Sequence, residues 1–163
     1  SPLTVIDKIT AAGVTMFSPA NTSEALSTYD DKGLSFRTAP PDLYQGDIIG
    51  QFITSDGNQT VAILNLNDAY GNGLADGVAA TVTESGGEVV LQQSYDPQAT
   101  SFDSEVDAIV AADPDAIVVI GFNESSKILR AMVEKGIGPR DKAVYGCDGN
   151  AGNAIGADFD AGN

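Results

Sequence analysis

The sequence predicts an α/β protein built on doubly wound parallel sheets. Three observations carry that prediction. From residue 60 onward, strand-like and helix-like segments alternate without a break, the pattern of a parallel sheet covered by helices on both faces. The strand-like segments are nearly continuous apolar runs, of which Ala116-Ile-Val-Val-Ile120 is the longest, as expected for strands buried on both sides. The first 57 residues hold only two candidate strands, too few for a sheet that stands alone, so they are expected to belong to a second sheet whose other strands are missing here.

The elements follow in order. Leu3, Ile6 and Ile9 share a helical face, and Gly13 suits the helix end. Val14 to Phe17 and Leu34 to Thr38 read as short strands, the second stopped by Pro40-Pro41. Asp42 is expected to cap a helix whose apolar positions are Tyr44, Ile48, Ile49, Phe52 and Ile53, with Asp56-Gly57-Asn58 ending it. Val61 to Leu66 is a buried strand. Leu74, Val78 and Val82 mark a helix that Gly86-Gly87 closes, and Val89 to Tyr95 is the next strand. Thr100 with Asp103 reads as a capping box before Phe102, Val106, Ile109 and Val110. Asp115 to Gly121 is a strand. Ile128, Leu129, Met132 and Val133 form a helical face before Gly136, and Ala143 to Tyr145 is the last strand.

Composition excludes several classes of function. The chain carries 23 acids against 8 bases, a formal charge of −15, which repels phosphate backbones and argues against nucleic acid as a partner. No apolar run approaches the length of a membrane span. Histidine is absent, which removes the commonest general base and metal ligand, and the single cysteine, Cys147, therefore has no histidine to activate it. No phosphate-loop or calcium-loop spacing occurs, so neither cofactor nor metal is implied. The chain starts at Ser-Pro and enters a helical pattern at once, and it is expected to be a truncated or processed piece.

Parallel sheets bind ligands beyond the carboxyl ends of their strands. Those ends hold Ser18-Pro-Ala-Asn-Thr22, Asn65 to Tyr70, Gly121-Phe-Asn123 and Gly146-Cys-Asp-Gly149, each combining small residues with a polar or aromatic group. Asp148 reads either as a turn cap or as the counter-ion of a ligand ammonium, and Tyr70 either as core filler or as a lid. A rival lies in Gly71-Asn-Gly-Leu-Ala-Asp-Gly77, which follows a strand and opens a helix as a dinucleotide site would. A nucleotide-dependent oxidoreductase domain is therefore the enzymatic alternative, although Asn67 to Tyr70 separate the strand from the first glycine.

Five stretches in register resemble one family: Ser18 to Thr22, Phe36 to Gly46, Asp68 to Leu74, Asp113-Pro-Asp115, and Gly146 to Gly149. The chain is similar along essentially its whole length to the periplasmic solute-binding proteins of ABC transporters for leucine, isoleucine and valine, of the type I periplasmic-binding fold. That resemblance implies two lobes closing on a ligand, the first lobe incomplete here. Residues 1–57 would be the C-terminal portion of lobe one, and residues 58–163 most of lobe two. It implies a non-enzymatic protein, periplasmic or extracellular, with its signal peptide removed and with a lipid anchor as an alternative in the full-length form. It would bind a small zwitterion such as a branched-chain amino acid and deliver it to a membrane permease. A sensor or receptor domain on the same fold is the other alternative. The implied ligand-binding residues are Ala20 through its carbonyl, Thr22 through its hydroxyl and amide, Tyr70 from the second lobe, Phe122 as a stacking surface, and Asp148 where the family usually has glutamate. Asn123 would replace polarity lost at Phe122. Ser18 to Glu24 is then read as a strand end feeding a helix amino terminus, whose free amides suit a carboxylate.

Overall fold

In a computed structural model of the chain, residues 2–152 and 155–156 are described. After a 3-10 turn at Pro2–Thr4 come α1 (Ile6–Ala11), β1 (Met16–Ser18), β2 (Ser35–Arg37), α2 (Asp42–Ser55), β3 (Thr60–Leu66) and α3 (Ala69–Glu84). They are followed by β4 (Glu88–Tyr95), α4 (Asp103–Ala112), β5 (Ala116–Ile120), α5 (Ser125–Glu134) and β6 (Ala143–Tyr145). Every strand pairing is parallel. β1 and β2 form a two-stranded sheet of their own, and the other four strands form a second sheet in the order β4-β3-β5-β6.

The apolar runs form the middle of the larger sheet because both of its faces are covered. Along β3, Val61 and Ile63 point to a core shared with Leu74, Val78 and Val82 of α3, while Ala62 and Leu64 point to one shared with Val106, Ile109, Ile128 and Met132 of α4 and α5. All five residues of β5 are buried. Each such branched side chain contributes roughly 1.5–3 kcal/mol relative to exposure. The expected turn glycines adopt the left-handed conformation that ends α1, α2, α3 and α5: Gly13, Gly57, Gly86 and Gly136.

Three local expectations fail. The apolar face of α2 is not the one its pattern suggests: Ile49 and Ile53 are buried, but Tyr44, Ile48 and Phe52 are exposed. The buried side instead carries Gly46 and Gly50. A β-carbon on Gly46 would sit 3.0 Å from the Gly77 backbone of α3, and one on Gly50 would sit 2.6 Å from Thr81. The two helices touch through their glycines, so the larger apolar groups are turned outward. Asp42 opens α2 without capping it, the cap position being Pro41. At α4 the residue that accepts the Asp103 N–H is Ser101, at 3.1 Å, rather than Thr100.

Because Ile49 and Ile53 share a core with Val61 and Ile63, α2 packs with the larger sheet, and a division at 57/58 separates that helix from its own core. The far end of the second expected unit, residues 157–163, lies outside the described residues.

Candidate functional site

The larger sheet has a topological switch point. The chain leaves β3 towards β4 on one side and returns as β5 on the other. The loops after β3 and β5 therefore diverge and leave a crevice at the strands' carboxyl ends. Tyr70 stands in the first turn of α3, directly after the first of those loops, and Phe122 stands on the second. Their rings stack there with centroids 5.4 Å apart and planes 28° apart. The loop after β6 brings in Asp148, and the β1 loop faces them from the small sheet. The result is a cleft of about 270 Å³ whose walls include Ala20, Thr22, Tyr70, Phe122 and Asp148 together with Asn21, Ser23 and Asp68. All five sequence-expected residues thus line one space. Asn123 does not line it; its carbonyl accepts from Ser126 at the start of α5.

The hydrogen bonds show which groups remain for a ligand. Tyr70 Oη donates to Asp148 Oδ1 at 2.7 Å and lies 3.2 Å from Cys147 Sγ. Burial first, then Cys147 and Asp148, hold the Tyr70 phenol protonated far above its ordinary range. With its amide oriented to satisfy both partners, Gln45 Nε2 also donates to Asp148 Oδ1, at 2.9 Å, and its Oε1 accepts from the Asp148 N–H at 3.2 Å. Both donors fall on one carboxylate oxygen, which leaves Oδ2 for the cleft. Gly149 is required beside Asp148, since a β-carbon there would collide with the Gly121 carbonyl and the Tyr70 hydroxyl.

The β1 loop departs from expectation. Only a 3-10 turn, Glu24–Leu26, follows Thr22, so the β1 loop itself brings no α-helix dipole to the cleft. The Asn21 amide is occupied by Ser18 Oγ at 3.0 Å. The Thr22 carbonyl accepts from the Asp42 N–H at 2.9 Å and from Arg37 Nη1 at 3.1 Å. Arg37 also donates to the Ser23 carbonyl at 2.8 Å. The loop's shape is thus set by Arg37 from β2 and by the first turn of α2. It is the Thr22 carbonyl that holds the loop in place, while the Thr22 hydroxyl lies beside Asp42.

Asp42 and Gln45 are the residues sequence reasoning missed. Asp42 is 1% exposed. Neither of its carboxylate oxygens has a hydrogen-bond partner among the described residues. Burial lifts its carboxyl to about 6; the Thr22 hydroxyl beside it pulls the other way, and Asp148 pushes it up further. The sequence does hold a signal for the pair, because positions 42 and 45 share one face of a helix's first turn.

The dinucleotide alternative does not fit. The Gly71 N–H is taken by Asp68 Oδ1 at 2.8 Å, and a β-carbon on Gly71 would strike the Leu66 carbonyl. Gly71 is needed for the close approach of α3 to β3, whereas a β-carbon on Gly77 would meet Gly46 of α2 at an ordinary 3.6 Å. Among the described residues no cluster of acids and thiols is arranged to hold a metal ion.

A parallel sheet with a cleft at its switch point, near a second small parallel sheet, is an α/β arrangement with room for a small ligand. Residues 2–162 match the model of the periplasmic binding protein family, and the chain belongs to that family. It is 27% identical over 152 residues to a leucine-, isoleucine-, valine-, threonine- and alanine-binding protein of Pseudomonas aeruginosa, covering 92% of this chain and 40% of the relative. It is 29% identical over 117 residues to a chemotactic signal transduction substrate-binding protein, BasB, of Halobacterium salinarum, covering 68% of this chain and 28% of the relative. Among solved structures, a leucine-binding protein of Thermotoga maritima superimposes with a TM-score of 0.86 at 22% identity, over 96% of this chain and 44% of that one. A solute-binding protein of an ABC transporter from R. palustris, solved with 4-hydroxybenzoate, does so with a TM-score of 0.79 at 16% identity, over 87% of this chain and 39% of that one. The chain spans 28–40% of the length of these curated relatives. These relatives and fold neighbours are binding proteins, not enzymes.

Proposed function

We propose that this chain is part of the extracytoplasmic solute-binding component of an ABC importer, which takes a small zwitterion such as a branched-chain amino acid by closure of two lobes. The observation that supports this reading is the convergence of Ala20, Thr22, Tyr70, Phe122 and Asp148 on one small cleft at the switch point. The Thr22 amide and hydroxyl receive the ligand's carboxylate. The Ala20 carbonyl and Asp148 Oδ2 receive its ammonium. Tyr70 and Phe122 cover the side chain. Each charge-assisted hydrogen bond contributes roughly 1.5–3 kcal/mol, so a few of them reach the roughly 8 kcal/mol of a micromolar complex after ordering costs.

The packing of α2 supports placing the lobe boundary at the crossover near Pro40-Pro41 instead of after residue 57. The β1–β2 sheet then belongs to lobe one and everything from α2 onward to lobe two. Ligand contacts from both lobes exist together only when the cleft is shut, so binding favours the shut form, which docks on a membrane permease. The full-length protein is then periplasmic or extracellular, with a removed signal peptide or a lipid anchor. A sensing role on the same fold is the second reading, favoured by the likeness to the Halobacterium chemotactic protein. Purification of the membrane partner, permease or transducer, separates the two.

Calorimetric titration with leucine, valine and isoleucine tests the reading. The full-length two-lobed protein binds at least one of them at micromolar concentration, and the 163-residue chain alone binds little or none. Tight binding by the isolated chain contradicts a pocket shared between lobes.

A further inference from the structure

We propose that Glu124 is the positioning residue for the cleft's aromatic wall: pinned by Tyr95 from the core, its carboxylate holds the loop after β5 so that the Phe122 ring stands against Tyr70 before any ligand arrives. The proposal rests on the reading above and says how one wall of that same cleft is held.

Phe122 is 47% exposed, so burial does not fix its place. Its backbone does. The Phe122 N–H donates to Glu124 Oε1 at 2.9 Å, and its carbonyl accepts from the Ser125 N–H at 3.1 Å. The same Oε1 accepts from Tyr95 Oη at 2.9 Å. Tyr95 is 2% exposed, packs edge-on against Phe102 with ring centroids 5.3 Å apart, and belongs to the core under α4 and α5. Burial first, then Glu124, keep its phenol protonated above the ordinary range, so it is a constant donor. Gly121 completes the arrangement: a β-carbon there would collide with Tyr95 Oη and sit 2.7 Å from Glu124 Oε1.

Glu124 occupies the cap position of α5, yet its side chain makes no bond to that helix's amides. It turns back along the chain to the loop instead, forgoing the usual stabilisation of a cap. A side chain used in this way supports a group that touches ligand. The loop's position matters to the cleft at two points. The Phe122 ring stacks on Tyr70. It also lies beside Gly149, next to Asp148, where a β-carbon would come 3.1 Å from Phe122 Cε1. A loosely held ring this exposed must be ordered as the ligand binds, whereas one held in advance spares the complex that ordering.

The test is a double-mutant cycle in the full-length two-lobed protein, titrated by calorimetry with whichever of leucine, valine and isoleucine wild type binds most tightly. Glu124→Ala is expected to weaken that ligand about tenfold alone, and less than about twofold once Phe122→Ala is present, because the two residues act as one unit. Glu124→Gln keeps the acceptor oxygen and is expected to stay within about threefold of wild type. Without ligand, the Phe122 amide proton is expected to resonate downfield in wild type and in Glu124→Gln, and upfield in Glu124→Ala. Tyr95→Phe removes only the pin and leaves a ring in the core, so it is expected to weaken binding in the same direction, and it serves if Glu124→Ala does not fold. Equal losses in both backgrounds, unchanged affinity in Glu124→Ala and Tyr95→Phe, or a Gln variant as weak as the Ala variant overturns the proposal and leaves the functional reading standing. If wild type binds none of the three amino acids, the functional reading itself fails, and the inference falls with it.

Discussion

The four-stranded sheet and the crossing segment from Ser23 to Asp42 treat buried polar atoms in opposite ways. In and around the sheet nearly every buried polar group is paired. Asn150 Nδ2 donates to the Val119 carbonyl at 2.8 Å, and its Oδ1 accepts from the Cys147 N–H at 2.8 Å. Tyr95 Oη donates to Glu124 Oε1 at 2.9 Å. Asn65 Oδ1 is the exception among the described residues. The crossing segment instead leaves Ser23 Oγ, Glu24 Oε2 and both Asp42 oxygens buried and unpaired. One region is built for stability and the other holds unspent hydrogen-bonding capacity beside a cleft. The difference separates scaffold from site more sharply than hydrophobicity does.

The largest effect that sharpens the contrast is expected in the sheet. Leu64 is fully buried between β3's neighbours and the α4–α5 layer. Leu64→Ala should lower unfolding free energy by about 2–5 kcal/mol in a urea titration. A loss below about 1 kcal/mol would mean the sheet is not the stabilising core.

Next comes a gain. The Asp42 carboxyl stands at about 6 in the folded protein against an ordinary value of 3.8, a raised folded pKa. Between these values the unfolded chain has released the proton and the folded one has kept it, so stability falls as pH rises through that window and stays reduced above it. Asp42→Asn should therefore gain at most about 3 kcal/mol at pH 7 and nothing at pH 3. Thermal unfolding across pH 3 to 8 should show a flatter profile for the variant between pH 4 and 6. A variant destabilised at pH 7 would break the contrast.

A smaller loss is expected at the α2–α3 crossing. Gly50→Ala places a β-carbon 2.6 Å from Thr81 and should cost about 1–3 kcal/mol by forcing the helices apart. Because the same helix carries Gln45 and Asp42, ligand affinity should fall too. The smallest effect belongs to the little sheet. Phe17 is 62% exposed and paired in register with the exposed Phe36, so Phe17→Ala should change stability by less than about 0.5 kcal/mol.

These two regions were also unequally legible in the sequence. Uninterrupted apolar runs and helical spacing located β3, β5, α3 and α5, because periodicity reports burial directly. The same logic misjudged α2, where Tyr44, Ile48 and Phe52 carry the apolar signal but the packing runs through Gly46 and Gly50, whose missing side chains leave no trace in a hydrophobic pattern. Ala20, Thr22, Tyr70, Phe122 and Asp148 were found by position at strand ends and by likeness to a family, and the structure places them around one space. Asp42 and Gln45 were missed because a carboxylate and an amide at a helix start normally mean a cap. That Asp42 is buried and unpaired depends on Arg37 being spent elsewhere, a tertiary fact that spacing does not carry.

The most direct test of the account is an amide-shift titration of the full-length two-lobed protein with L-leucine. Resonances that move should belong to Ala20–Ser23, Tyr70, Phe122, Asp148 and the first turn of α2, with β1–β2 and α4 unmoved beyond that loop. Shifts centred elsewhere, such as the open groove between Ser101 and Lys127, or none at all from any amino acid, would contradict a ligand site at the switch point.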